Sequence, residues 1–119
     1  MEHRWSRRLE LSGEVLLAMS GGSTWPMALA DLSVGGMGVV NQEFPLPVNS
    51  FVTVSFWIQQ RDNATHHRVL AQVVHSRPDQ TGLMFIDPGA ETLRALRAVQ
   101  IRGAESRVSG ISVAPTHAA

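Results

Sequence analysis

Phe51–Ile58 reads FVTVSFWI, a run of β-branched and aromatic residues in which apolar side chains recur at every second position. A strand sends successive side chains to opposite faces. Val52, Val54, Phe56 and Ile58 therefore share one face, and Thr53, Ser55 and Trp57 share the other. A run this β-prone needs partner strands. Five other segments of the chain can supply them: Leu9–Met19, Thr24–Leu32, Met37–Val40, His66–His75 and Gly82–Ile86. Turn and loop chemistry separates them. Ser20–Ser23 and Ser33–Gly36 are glycine-containing turns, Asn41–Ser50 is a loop with Pro45 and Pro47, Gln59–Thr65 is a polar hairpin loop, and Arg77–Gln80 is a turn.

A different pattern follows the last of these strands. Asp87-Pro88 offers a side-chain acceptor and then proline at a first helical position. Leu93, Leu96 and Val99 then make one stripe, with Arg94 and Arg97 away from it and Gly103 placed to close the helix. Short strands with closely spaced turns and one terminal helix predict an all-β fold, a six-stranded antiparallel β-barrel with a C-terminal α-helix packed on it. The expected division is a flexible N-terminal arm over residues 1–8, a barrel-plus-helix domain over 9–103, and a mobile tail over 104–119. The arm is polar and basic, and the tail is rich in Ala, Ser, Gly and Pro without any period.

Composition narrows what such a domain does. With 119 residues and 44% hydrophobic content, the chain is one domain with a modest core. Ten basic and ten acidic residues balance to zero, and no strand interleaves exposed aromatics with basic side chains, so nucleic acid is not an expected partner. There is no cysteine, which removes disulfides, thiolate nucleophiles and cysteine-based zinc sites. His66, His67 and His75 lack zinc-ligand spacing, so no metal is expected. No apolar run reaches membrane-spanning length and the N-terminus carries no apolar leader, so the expected compartment is the cytoplasm, without membrane insertion. Gly36-x-Gly38 lacks the third glycine of a dinucleotide fingerprint, and Ser33 lacks the glycine two residues before it that a nucleophile elbow requires. No enzyme is expected.

Two motifs remain. Arg4 and Arg8 form R-x-x-x-R in the arm, and Asp31-Leu32-Ser33-Val34-Gly35-Gly36 forms D-x-S-x-x-G at a strand-to-strand connection. In that order, in a chain this short, they resemble the PilZ domain family, with the likeness covering roughly residues 3–102. The resemblance implies the same small barrel and a ligand, cyclic di-GMP, a bacterial second messenger with two guanines and two phosphates. It implies no cofactor, and a signal passed to a downstream protein. Biofilm, motility and virulence control are the outputs it implies, and nothing in the residues chooses among them.

The residue types suit that ligand. An arginine fork meets guanine O6 and N7 bidentately, or a phosphate, or stacks on a base, so Arg4 and Arg8 are the first binding candidates. Asp31 is an acceptor-only group for guanine N1–H and N2–H, or else a cap on the turn's amides. Ser33 either reaches a phosphate oxygen or purine nitrogen or closes its own turn. Gly36 admits ligand or backbone to van der Waals contact, and Gly35 serves the turn or the ligand. Arg7 is an added phosphate contact or a solvated residue, and Trp5 stacks on a base or pins the arm. His75 is a guanine contact or a rim residue, whereas Trp25 and Trp57 are read as packing residues. The rival reading keeps the fold without the nucleotide, as an interaction adaptor of the pilus or motility type.

Overall fold

The computed structural model describes residues 13–19, 22–40, 46–60, 63–102 and 106–109. Its elements are β1 (Glu14–Ala18), β2 (Thr24–Leu32), β3 (Gly36–Val40), β4 (Phe51–Gln60), β5 (Asn63–Ser76), β6 (Thr81–Phe85), α1 (Ala90–Arg102) and β7 (Ser106–Ser109). Hydrogen-bonded neighbours follow the order β1-β2-β3-β6-β5-β4, and β1 returns to β4 through Leu16↔Ser55, Leu17↔Val54 and Ala18↔Thr53. The six strands thus close into an antiparallel barrel with one helix after it, the fold expected from the strand pattern.

Alternation decides what lies inside. Val52, Val54, Phe56 and Ile58 are buried, with Thr53, Ser55 and Trp57 half-exposed on the outside. Val15 and Leu17 of β1, Met37 and Val39 of β3, and Val69, Ala71 and Val73 of β5 complete the wall of the same core. Phe56 stacks on Phe85 with ring centroids 6.4 Å apart, and its other neighbour is the His67 ring at 5.7 Å. Helix α1 adds Leu96 and Val99 to this core and is tied to β5 by a side-chain bond. His67 Nδ1 and Thr92 Oγ1 are 2.9 Å apart, while His67 Nε2 and Thr65 Oγ1 are 2.7 Å apart. The buried stripe of the helix is thus Thr92, Leu96 and Val99, with Leu93 only half-buried.

Four boundaries depart from the sequence reading. The β4–β5 ladder continues to Gln60↔Asn63, so the polar stretch expected to be a loop is mostly strand and the connection shrinks to residues 61–62. Alternation is hidden there because the inward positions are themselves polar, Thr65 and His67. The helix does not begin at Asp87-Pro88. Asp87 sits at φ 52°, outside the extended region a capping residue needs, and the Gly89 carbonyl accepts the first helical bond from Leu93 N–H at 3.0 Å. Ser106–Ser109, which composition places in the tail, form β7 along β4 from Gln60↔Ser106 to Trp57↔Ser109. They occupy the flank of β4 beyond the end of β1, and Val108 is buried there. Finally, the expected strand Leu9–Met19 ends one residue early, with β1 running from Glu14 to Ala18 and Gly13 bridged to Val108, while residues 9–12 lie outside the described part.

Candidate binding site

Ser33 shows how the connection between β2 and β3 is made. Its N–H donates to the Gly36 carbonyl at 2.8 Å, and its hydroxyl accepts from Gly35 N–H and Gly36 N–H, both at 3.2 Å. The hydroxyl proton points to the Gly36 carbonyl at 3.3 Å. One donor and two acceptor positions exhaust a hydroxyl, so Ser33, 5% exposed, spends its hydrogen-bonding capacity on the turn. Of the two roles open to Ser33 in the sequence, turn closure describes this geometry. Gly35 stands exposed with open space where a side chain would be, and its carbonyl accepts from Phe85 N–H at 2.8 Å.

The close approach at Gly36 comes from backbone. A Cβ there would overlap the Leu83 carbonyl oxygen of β6, so the missing side chain lets β3 and β6 pair at Gly36↔Met84. The last glycine of the motif is a packing requirement of the barrel wall.

Asp31 is placed differently. A register shift between Leu29 and Asp31 puts the extra residue Ala30 into β2, after which Asp31 faces Gly38 on the outside of the barrel. Its Oδ1 accepts the Gly38 N–H at 2.9 Å, so the carboxylate caps β3 rather than the amides of the turn. Pairing continues from strand to strand along the same row: Asp31↔Gly38, Gly38↔Gly82 and Gly82↔His75. Two neighbouring glycines therefore separate a half-exposed carboxylate from an exposed imidazole, all on the outer face, since Met37, Val39 and Leu83 beside them point inward.

Side chains from nearby cover this bare backbone. A Cβ on Gly82 would run into the His75 ring, and a Cβ on Gly38 would run into Gln80 Nε2 and come within 3.0 Å of Asp31 Oδ1. Gln80 Nε2 also donates to Asp31 Oδ2 at 3.4 Å. His75 thus joins the row as the sequence reading allowed. Gln80, Gly38 and Gly82 were not anticipated. The signal for them was glycine inside strands, which marks close approach of another group. Arg4, Trp5, Arg7 and Arg8 lie outside the described residues. Trp57 sits on the outer face with its ring centroid 4.9 Å from that of His66, and Trp25 packs against the core.

Among the described residues no cluster of His, Cys, Asp or Glu could hold a metal ion, and no helix is long and apolar enough to cross a membrane. The row offers a flat, polar molecule an acceptor at one end and a ring at the other, with glycine backbone between them that Gln80 and His75 cover in this structure.

A family model described as the PilZ domain matches residues 2–100, a span that takes in both motifs. No curated protein matches by sequence. Similar solved structures include the Bacillus subtilis inhibitor of motility MotI/DgrA, with a TM-score of 0.74 and 14% identity over 86% of this chain and 51% of that one. The PilZ domain of CeSA from a cellulose-synthesising bacterium gives 0.62 and 15%, over 82% of this chain and 97% of that one. The PilZ domain of Escherichia coli YcgR, solved with c-di-GMP, gives 0.60 and 16%, over 85% and 91%. Identities this low make the likeness one of fold, and the chain spans about half the length of the Bacillus protein.

Proposed function

This chain belongs to the PilZ domain family, and from that premise we propose that it is a receptor for cyclic di-GMP that passes the signal to a protein partner. The observation that carries this reading is the Asp31 carboxylate, held on the outer face by Gly38 N–H at 2.9 Å, next to the paired glycines Gly38 and Gly82. A carboxylate accepts the N1–H and N2–H of one guanine edge side by side. The glycines beside it carry no side chain of their own, so a flat base approaches once the covering Gln80 and His75 side chains turn aside. The c-di-GMP complex of the YcgR domain, a fold neighbour, supports the choice of ligand.

Asp31 takes the guanine donor edge, Arg4 and Arg8 take guanine O6/N7 or the phosphates, and Arg7 adds charge toward the phosphates. Ser33, Gly35 and Gly36 hold the turn that presents Asp31. His75 and Trp5 offer rings to the bases. Binding brings the N-terminal arm across the Asp31–Gly36 face, because the ligand is anionic and the arm carries the motif arginines. Arm, nucleotide and barrel then form one surface for the partner to read. The Bacillus neighbour is an inhibitor of motility, which makes motility the first output to examine.

Calorimetric titration tests the reading. Cyclic di-GMP gives saturable binding, and GTP and cyclic di-AMP give none. Absence of binding overturns it in favour of an adaptor that keeps the fold without the nucleotide. Hydrogen exchange follows the arm: residues 2–9 gain protection with ligand, and unchanged protection in the bound protein removes arm closure.

A further inference from the structure

Gln80 lies against both Asp31 and the buried backbone of Gly38. Its backbone belongs to the turn closed by Arg77 N–H donating to the Gln80 carbonyl at 2.9 Å, so its side chain can rotate without breaking that turn. The carboxamide nitrogen lies where a Gly38 side chain would have been and donates to Asp31 Oδ2 at 3.4 Å. Chemically, this is a planar sp² group offering N–H donors to a carboxylate. It makes the same offer to Asp31 as the donor edge of a guanine.

We propose that Gln80 is an internal competitor for the ligand at Asp31, setting affinity by occupying the carboxylate oxygen and the backbone surface that the base must take. The inference rests on the cyclic di-GMP reading above. The contact suits a displaceable occupant. At 3.4 Å it is near the outer limit of a hydrogen bond, and the side chain is half-buried rather than locked in the core. A ligand takes the Gly38 surface beside Asp31 Oδ2 only after the carboxamide swings away, so the apparent affinity is reduced by the share of molecules in which Gln80 is in place. His75 covers Gly82 at the other end of the row, whereas Gln80 covers Gly38 and reaches the Asp31 carboxylate itself.

The experiment is calorimetric titration of cyclic di-GMP into the full chain and into Gln80→Ala and Gln80→Ser, with melting temperatures measured on each. Both variants bind more tightly, by roughly two- to twelvefold, the factor that the net contribution of one hydrogen bond spans. A side chain that only supports its turn would lower the melting temperature without tightening binding. Equal or weaker binding by both variants, with the parent binding normally, overturns the competitor role and leaves the receptor reading standing. No binding by any of the three chains removes both. In parallel, the Gln80 side-chain amide signals are followed by NMR during the titration of the parent. They shift as the carboxamide leaves Asp31, and signals that stay fixed through saturation overturn the proposal.

Discussion

His67 and Thr92, distant in sequence, meet in a buried bond of 2.9 Å between Nδ1 and Oγ1 that fastens α1 to the barrel wall. The imidazole has a hydroxyl at each nitrogen, Thr92 on one side and Thr65 on the other, so a buried polar ring is fully partnered. Thr92→Val keeps the shape and removes one partner. It leaves Nδ1 buried and unsatisfied, which costs about 1–3 kcal/mol. Urea unfolding will show the loss, and cyclic di-GMP affinity will stay at the parent value because Thr92 meets β5 at His67, eight residues along the strand from His75 of the Asp31 row.

The same ring makes stability depend on pH. Burial pushes the His67 pKa below the ordinary 6.5; Glu91 opposes the shift and His66 adds to it. The unfolded chain takes up a proton on this ring at a pH where the folded chain does not. The unfolded state therefore binds more protons, and stability rises with pH across that interval. The contribution is complete above pH 6.5 and is lost as pH falls from there toward the lowered value. Urea midpoints measured between pH 7.5 and 5 will fall in the parent. They will fall less in His67→Gln, which has no titrating ring.

Glycines two residues apart do different jobs. Gly36→Ala drives a methyl into the Leu83 carbonyl, which is backbone and cannot yield without opening the β3–β6 pairing. Overpacking of this kind costs about 1–3 kcal/mol or more. Gly38→Ala meets the end of the Gln80 side chain and the Asp31 oxygens instead, so it disturbs the carboxylate more than the fold. Thermal denaturation should separate them, with the larger loss at Gly36, while titration should find weakened binding in well-folded Gly38→Ala.

Ser33 and Asp31 part in the same way. Ser33→Ala strips the acceptor from Gly35 and Gly36 N–H, and the buried Gly36 amide left unsatisfied costs about 1–3 kcal/mol of stability. Asp31→Asn retains an oxygen for Gly38 N–H but replaces the second acceptor with a donor. It should lose about 1.5–3 kcal/mol of cyclic di-GMP binding, the value of a hydrogen bond to a charged group, at nearly parental stability.

Arg4→Ala and Arg8→Ala test the other motif. Each should weaken cyclic di-GMP by about 2–4 kcal/mol, the loss expected when one partner of a charge-assisted contact is removed from a partly desolvated site. Calorimetry on both single variants decides it, and parental affinity in both would place the site elsewhere.

What was legible in the sequence followed from period and backbone chemistry. Alternation in Phe51–Ile58 identified the inward face of β4 correctly, and the turn at Ser33–Gly36 announced itself through its serine and glycines. Patterns failed where tertiary context overrode them. β7 is four residues with one apolar side chain, Val108, and becomes a strand because β4 has an uncovered flank to pair with. The Asp-Pro helix signal lost to a left-handed Asp87. In the motif the residue types were visible but their division of labour was not. Gly36 answers to Leu83, some fifty residues later, and the row from Asp31 to His75 exists only once four strands are in register.

Closure of the barrel sets the terms on which any partner can engage it. Each of the six barrel strands has a hydrogen-bonded neighbour on both sides, and β7 takes the stretch of β4 that β1 leaves. Recognition by strand addition needs a free row of main-chain donors and acceptors at a sheet edge, and none of the six offers one as a whole. The same closure protects the fold from edge-to-edge aggregation. A protein that reads this barrel meets mostly side chains, because among the described residues main-chain groups lie unpaired only on parts of strands such as the first half of β5. The exposed apolar side chains on β4, β5 and β6, namely Phe51, Leu70, Val74 and Met84, are where single substitutions can alter recognition without unpairing the sheet.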